Sequence, residues 1–103
     1  MEVHFFDNKV EKFISSLDRP TIAKILRTID LLRRFGHLLG MPQSKPLAHG
    51  LFELRIRGVQ EVRLIYVFHK HKSVLLHGFV KKSQKIPERA LAIALSKKKQ
   101  LDE

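Results

Sequence analysis

The apolar residues in the first half of the chain form one strand-like and two helix-like patterns. Residues 2–6 are rich in strand-forming side chains and predict a short first strand. Two helices follow, because apolar residues recur at intervals of three and four on both sides of a break at residues 18–20. Asp7 or Asn8 is the expected N-cap of the first helix, and Gly36 is the expected end of the second. The two apolar stripes are Val10, Phe13, Ile14 and Leu17, then Ile22, Ile25, Leu26, Ile29 and Leu32.

The second half of the chain predicts a strand meander followed by a helix. Residues 36–50 contain three glycines and two prolines and are expected to form a loop. Strand patterns at residues 51–57, 62–68 and 73–80 are separated by short turns, which favour antiparallel pairing. Pro87 opens a last helix. The predicted fold class is α+β, with an N-terminal strand and a helical hairpin packed on a twisted antiparallel sheet, and a C-terminal helix.

The length and composition of the chain limit the classes of protein to which it can belong. The length of 103 residues predicts one domain spanning residues 1–103. No cysteine is present, which excludes a disulfide framework and a thiolate metal site. Neither a signal peptide nor a run of roughly 18 apolar residues is found, so we expect a cytoplasmic protein without a membrane partner. His69 and His71 are spaced to lie on one side of a strand end, but no third metal ligand is evident and no Gly-rich phosphate loop is found. Neither a metal nor a cofactor is therefore expected.

The charge balance points to an anionic partner. Twenty Lys and Arg residues against ten Asp and Glu residues give a net charge of +10. Residues 1–50 contribute +3 and residues 51–103 contribute +7 to this total. A domain this basic attracts polyanions, of which nucleic acid is the commonest. A cationic surface that serves only solubility is the alternative interpretation.

Arginines concentrate on one side of the predicted meander. Alternation along residues 51–57 places Glu53, Arg55 and Arg57 on one face of the strand, and Arg63 lies just beyond the next turn. A strand with one solvated face carries polar residues in any case. Three arginines within nine residues favour a phosphate-binding surface, because the guanidinium group holds phosphate oxygens bidentately.

The last strand contributes a histidine and a run of lysines. His77 stands in an apolar strand beside Gly78, and it is either a structural residue or a group for proton transfer near neutral pH. Lys81, Lys82 and Lys85 follow the strand directly. This run is either a solvated strand exit or positive charge presented to a ligand.

Three stretches together resemble a known superfamily. The sequences KPLAHGLFELRIRG (residues 45–58), VRLIYVF (62–68) and VLLHGFVKKSQKIP (74–87), followed by a helix rich in Ala and Lys, resemble the RelE/ParE toxins of type II toxin–antitoxin modules. The likeness is greatest to the phage-derived, HigB-like branch. It implies a RelE-like fold and a metal-independent endoribonuclease that cleaves mRNA, with the ribosome as a further partner. It also implies a cognate helix-turn-helix antitoxin, through which the toxin associates with operator DNA.

The resemblance also implies roles for individual residues. Arg55 lies where related toxins have a strand cation that binds or polarises the substrate, and Arg63 matches an arginine that contacts the scissile phosphate. Lys82, or alternatively Lys81, matches a basic residue after the last strand. The implied catalytic residues are Arg55, Arg63, His77 and Lys82, and the implied RNA-binding residues are Arg57, Lys81 and Lys85. We expect Arg63→Ala and Lys82→Ala to relieve growth arrest without unfolding the protein.

Two departures from the RelE pattern leave the proton-transfer groups open. Glu53 stands where RelE-like toxins tend to have a cation, and it is a second candidate base. The C-terminal helix lacks the tyrosine that serves RelE, and the only tyrosine of this chain, Tyr66, falls in a strand. A ParE-like inhibitor of DNA gyrase on the same fold, or a non-catalytic module that binds RNA or protein, are the alternative functions.

Overall fold

A computed structural model describes all 103 residues, which form three helices and five strands. Two single-turn 3₁₀ helices, Gly36–Leu38 and Ala48–Gly50, lie in the connections on either side of the second strand. The elements in chain order are β1 (Glu2–Phe5), α1 (Asn8–Ser15), α2 (Arg19–Phe35), β2 (Ser44–Pro46), β3 (Phe52–Ile56), β4 (Val62–His69), β5 (Lys72–Val80) and α3 (Glu88–Asp102).

The strands form one sheet in the order β1-β5-β4-β3-β2. This arrangement confirms the predicted α+β class with its N-terminal strand, helical hairpin and C-terminal helix. The sheet is mixed, however, because β1 runs parallel to β5 while the other pairs are antiparallel. The helical hairpin is the reason: it supplies the long crossover that a parallel strand pair requires. The alternation of a single strand carries no information about the direction of its partner.

The predicted loop at residues 36–50 contains a short edge strand. Ser44–Pro46 pairs with the first half of β3, and the amide of Arg55 donates to the carbonyl of Gln43 at 2.7 Å. Pro46 is tolerated because an edge strand needs hydrogen bonds on one side only. Glycine and proline signals therefore obscured a strand that has almost no apolar pattern of its own.

Aspartates begin both helices of the hairpin. The carboxylate of Asp7 accepts hydrogen bonds from the amides of Lys9 and Val10 at 3.1 and 3.3 Å. Asp18 accepts from the amide of Thr21 at 2.8 Å. These contacts satisfy amides that have no partner within a helix, and each such cap contributes about 1 kcal/mol. The prediction of Asp7 as an N-cap is confirmed.

Helices cover both faces of the sheet. The hairpin packs on one face, where its apolar stripe meets alternate residues of β3, β4 and β5 in a cluster that includes Ile25, Leu54, Leu64 and Tyr66. On the other face α3 lays Ala90 and Ala94 against a cluster made by Leu51, Ile65, Val67, Val74 and Leu76. Burying a side chain of this size contributes about 1.5–3 kcal/mol, so the two clusters together fix the sheet between its helices.

A bulge in β5 changes which side chains face α3. Ile65 of β4 lies opposite His77, whereas Tyr66 lies opposite Leu75, so Leu76 is an extra residue on β5. Bulges of this kind redirect the side chains beside them. Leu76 packs in the α3 cluster, and His77 follows it on the same face of the sheet. None of the three helices is long and apolar enough to cross a membrane.

Candidate functional site

A groove of about 650 Å³ lies where β3 and β4 reach their connecting turn and where the chain leaves β5. Its lining contains no apolar residue. We call it the cationic groove and define it by Arg55, Arg57, Glu61, Arg63, Lys81, Lys82, Ser83 and Gln84. Five of these eight residues are cationic and one is anionic, so the groove is suited to bind an anion such as a phosphate group.

The register of the sheet places two arginines side by side in this groove. Arg55 of β3 lies directly opposite Arg63 of β4. Like charges in this position destabilise a strand pair. Glu53 offsets the repulsion, because its Oε1 lies 3.6 Å from Nε of Arg55 and 4.0 Å from Nε of Arg63. The three side chains therefore form one charge network on the face that also carries α3, in which Glu53 and Arg63 are buried and Arg55 is partly exposed.

Arg63 is fixed by further contacts. Its Nη1 donates to Oε2 of Glu61 at 3.1 Å and to the carbonyl oxygen of Val62 at 3.0 Å. Only 3% of Arg63 and 3% of Glu53 is exposed. Arg63 therefore supplies positive charge from within the sheet, and its orientation is set by carboxylates on two sides.

The network is held by charge more than by hydrogen bonds. Three of its buried polar atoms make no hydrogen bond: Oε2 of Glu53 and the Nε atoms of Arg55 and Arg63. A buried polar atom without a partner costs about 1–3 kcal/mol. Groups in this condition are rare in folded proteins and concentrate where function requires them.

Exposed cations form the outer part of the groove. Arg57 and Lys82 are exposed, and Lys81 is partly buried. The amide of Lys81 donates to the carbonyl of Glu61 at 2.7 Å, which ties the exit of β5 to the turn before β4. This hydrogen bond holds the lysines beside the arginines, so both strand ends present positive charge to the same groove.

The groove contains five of the seven residues predicted from the sequence. These are Arg55, Arg57, Arg63, Lys81 and Lys82. Lys85 is exposed a short way beyond the lining, where its carbonyl accepts a hydrogen bond from the hydroxyl of Ser83 at 3.1 Å. His77 also lies outside the lining.

His77 lines a separate cavity of about 340 Å³ between α1, β5 and α3, together with Lys9, Val10, Phe13, Gly78, Ile93 and Lys97. The side chain is half-buried, and this burial is the main reason why the pKa of His77 is lowered. The charge of Lys97 lowers the pKa further, Asp7 opposes the shift, and Arg89 adds to it. This cavity shares no lining residue with the cationic groove, so His77 lines a different cavity from the one that Arg55 and Arg63 line.

Glu61, Ser83 and Gln84 were not among the residues predicted from the sequence. Glu61 carried a detectable signal, because it stands two residues before Arg63, a spacing that places both side chains on one face of an extended chain. Ser83 and Gln84 enter the groove only because the chain turns at the end of β5. No local sequence pattern predicts that turn.

The groove contains few groups that can move a proton. It includes no histidine and no tyrosine, and Tyr66 is buried with its hydroxyl 2.6 Å from that of Ser44. Burial raises the pKa of Tyr66, although the hydrogen bond to Ser44 opposes the shift. The side chain of Glu61 is 41% exposed and is the only carboxylate in the lining. No three His, Asp or Glu side chains are grouped so that they could hold a metal ion.

The comparison with known proteins gives one result. Residues 12–99 match the family described as Phage derived protein Gp49-like (DUF891). A search among curated proteins finds no match. The matched region contains α2, strands β2 to β5, parts of α1 and α3, and every residue of the cationic groove. The chain therefore belongs to the phage-derived Gp49-like family, a family of RelE-like toxins.

Proposed function

We propose that the protein is a HigB-like toxin of a type II toxin–antitoxin system that cleaves mRNA without a metal ion. The observation that carries this proposal is the cationic groove, where five cations surround a space that contains no apolar side chain. The positive charge of such a groove would stabilise the negative charge that develops on a phosphate group when its phosphorus becomes five-coordinate in the transition state. Preorganised charge of this kind is commonly the largest contribution to catalysis.

The proposed reaction is attack by a ribose 2′-oxygen on the adjacent phosphorus. The new P–O bond forms as the bond to the 5′-oxygen breaks, which leaves a cyclic phosphate and a 5′-hydroxyl. Arg55 and Lys82 contact the phosphate oxygens, and Arg63 supports them with charge from beneath. Arg57 and Lys81 hold the neighbouring RNA backbone, and Lys85 extends this contact beyond the groove.

Glu61 is the proposed proton acceptor for the 2′-hydroxyl group. It is the carboxylate that the groove presents, whereas Glu53 is buried beneath the arginines. The proton for the departing 5′-oxygen comes from the ammonium group of Lys82. His77 takes part in proton transfer only if RNA reaches its separate cavity. The variant His77→Gln tests this role, because unchanged cleavage by the variant would exclude His77 from proton transfer.

The proposed partners are those that the resemblance to the RelE/ParE toxins implies. The substrate is mRNA engaged by the ribosome, in the cytoplasm. A cognate helix-turn-helix antitoxin neutralises the toxin and connects it to operator DNA. A protein of net charge +10 associates readily with both RNA and an acidic partner.

Induced expression followed by mapping of mRNA 5′ ends tests the proposal. Lys82→Ala removes an exposed groove cation, and we expect it to lower cleavage by about 10²-fold or more, the usual effect of losing one group that stabilises a transition state. Lys70→Ala is the matched control, because Lys70 is an exposed lysine in the β4–β5 turn. Intact transcripts with accumulating DNA breaks would instead support a gyrase inhibitor. Intact transcripts and intact DNA would support a non-catalytic binding module.

A further inference from the structure

The cavity around His77 is a second concave site, separate from the cationic groove. We call it the His77 cavity and define it by Lys9, Val10, Phe13, His77, Gly78, Ile93 and Lys97. Its volume of about 340 Å³ is close to the lower limit for small-ligand sites, which span about 300–1,000 Å³. The cavity is therefore suited to one small ring system and is too small for a helix of a partner protein.

The polar groups of the His77 cavity are free to contact a ligand. Neither ring nitrogen of His77 makes a hydrogen bond within the protein, and burial, aided by the charge of Lys97, lowers the pKa of the ring. The ring is therefore neutral at neutral pH and offers one donor and one acceptor. Lys9 is exposed at the edge of the cavity and forms no ion pair.

The charge of Lys97 is already compensated. Its Nζ donates to the carbonyl of Leu76 at 2.8 Å and lies 3.1 Å from Oδ2 of Asp7. An ammonium group has three donors, so one of them stays free for a neutral acceptor. The paired charge attracts a second anion only weakly, which argues against a phosphate group as the main occupant of the cavity.

The apolar lining narrows the chemistry of the ligand further. Val10, Phe13 and Ile93 form this part of the lining. A phosphate group would leave these side chains without contacts, and a purely apolar ligand would leave the imidazole of His77 without a hydrogen bond. A nucleobase satisfies both requirements, because it has an aromatic face to pack against apolar side chains and an edge that carries donors and acceptors.

The last strand connects the His77 cavity to the cationic groove. The rings of His77 and Phe79 lie on one face of β5 with their centroids 6.3 Å apart, and Phe79 lies opposite Arg63. Lys81 of the cationic groove is four residues beyond His77, which is roughly 13 Å along an extended chain. Arg89 is exposed, forms no ion pair and lies near enough to His77 to lower its pKa. A few nucleotides of single-stranded RNA can span this distance.

We propose that the His77 cavity binds one nucleobase of the RNA whose backbone lies in the cationic groove. The base packs on Phe13, its edge forms hydrogen bonds with His77, and Arg89 contacts a phosphate group between the two sites. The inference rests on the proposed function in one respect, that the cationic groove binds RNA. The reacting phosphate stays in that groove, so His77 contacts the RNA without transferring a proton. The cavity thus gives the protein a base preference at a fixed distance from the cleaved bond.

Removal of single bases from an RNA tests the inference. The probe is a labelled short single-stranded RNA of fixed sequence, with a 2′-methoxy group at every ribose so that it cannot be cleaved. Abasic versions of this RNA each lack one base. We expect the loss of the base at one position to weaken binding about fivefold or more, the usual effect of removing one stacked base.

Two variants connect that position to the cavity. Ile93→Trp fills the cavity, so we expect the abasic RNA and the complete RNA to bind this variant with nearly equal affinity. Gln100→Trp is the matched control, because Gln100 is exposed on the same helix and lies outside the cavity. Lys9→Ala avoids any change to the core and should weaken binding of the complete RNA more than binding of the abasic RNA. Lys12→Ala, at an exposed position of α1 outside the cavity, should weaken both equally.

Three results would overturn the inference. These are equal binding of all abasic RNAs by the unmodified protein, an equal base dependence in Ile93→Trp and Gln100→Trp, and a free nucleoside monophosphate that binds as tightly as the RNA. The last result would assign the cavity to a free nucleotide. Failure of the proposed function gives a different pattern: RNA without 2′-methoxy groups then stays intact, while the base dependence and its loss in Ile93→Trp persist.

Discussion

At the scale of single residues, Glu53 supplies the negative charge that allows two arginines to lie side by side in the cationic groove. The sheet places Arg55 and Arg63 opposite each other, and Glu53 is the buried carboxylate that lies beside both. A buried ion pair contributes little net stability, but the removal of one partner leaves an unpaired charge in the interior.

The same reasoning changes the expectation for Arg63→Ala. Arg63 is almost wholly buried, so this variant is expected to lose stability, and the exposed Lys82 is the better residue for a test of function.

Glu53→Ala should lower the free energy of unfolding by about 3–5 kcal/mol, because Arg55 then has no carboxylate partner and the buried Arg63 keeps only Glu61. Urea unfolding followed by circular dichroism measures the difference. Glu2→Ala is the control: its side chain is 72% exposed, and surface pairs are worth about 0–1 kcal/mol. An equal, small effect of both variants would show that the network does not stabilise the fold.

Glu61→Gln should strengthen RNA binding and slow RNA cleavage. The carboxylate of Glu61 occupies Nη1 of Arg63 at 3.1 Å, so its neutralisation frees that donor for a phosphate group. The proposed proton acceptor is lost at the same time. We expect the dissociation constant to fall by about threefold to tenfold and the single-turnover cleavage rate to fall by about 10²-fold. Glu88→Gln makes the same charge change at an exposed position outside the groove, and faster cleavage by Glu61→Gln would refute the role as acceptor.

At the scale of elements, the contact between α1 and β5 depends on the absence of one side chain. A Cβ atom at Gly78 would lie 2.6 Å from Cδ2 of Phe13 and 2.8 Å from Cδ2 of Leu64. Real Cβ atoms do not approach other atoms this closely. The absence of a side chain at Gly78, next to His77, therefore allows α1 to pack closely on β5.

Gly78→Ala should destabilise the protein by about 1–3 kcal/mol, because the added methyl group must displace the ring of Phe13 or the side chain of Leu64. Gly40→Ala is a matched control, since a Cβ there meets no atom within 4 Å. Thermal unfolding of the two variants measures the contrast. A melting temperature of Gly78→Ala equal to that of Gly40→Ala would mean that α1 does not press on β5 at this position.

The elements also show why some features could be predicted and others not. Periodic apolar residues such as Ile25 and Ile29 identified the helices, and alternation around Arg55 placed the arginines on one face. Three features depend on partners distant in sequence: the parallel pairing of β1, the pairing of Ser44–Pro46 with β3, and the bulge that turns His77 towards α3. A local pattern contains no information about such partners, so none of these three features was predicted from the sequence.

At the scale of the whole molecule, the titration of His77 and Asp7 should make the protein less stable in acid. Burial, with Lys97 and Arg89, lowers the pKa of His77, while Asp7 opposes the shift. The unfolded state therefore takes up a proton first, and stability should fall as the pH decreases below about 6.5, the ordinary value for imidazole. Melting temperatures between pH 8 and pH 4 measure this loss, which should shrink in His77→Gln and persist in the exposed His71→Asn. A flat profile in the unmodified protein contradicts the assignment.

Asp7 adds a loss at lower pH in the same direction. Burial raises its pKa, but the hydrogen bond and charge of Lys97 and the amides of Val10 and Lys9 outweigh burial, so the pKa is lowered overall. The stabilisation is therefore present above about pH 3.9, the ordinary value for Asp, and is lost as the pH falls through the folded value. Lys97→Met should reduce this second loss, because it removes the ammonium group that lies 3.1 Å from Oδ2 of Asp7.

The parallel pairing of β1 with β5 has a consequence for synthesis of the chain. β1 is translated before the helical hairpin but pairs with Lys72–Leu75, so it has no strand partner until those residues have been made. Lys81 and Lys82, which complete the cationic groove, are translated later still. Contacts of such long sequence separation form late and slow folding. The groove thus assembles only after Lys82 has been translated, and until then its arginines lack the lysines that complete the lining.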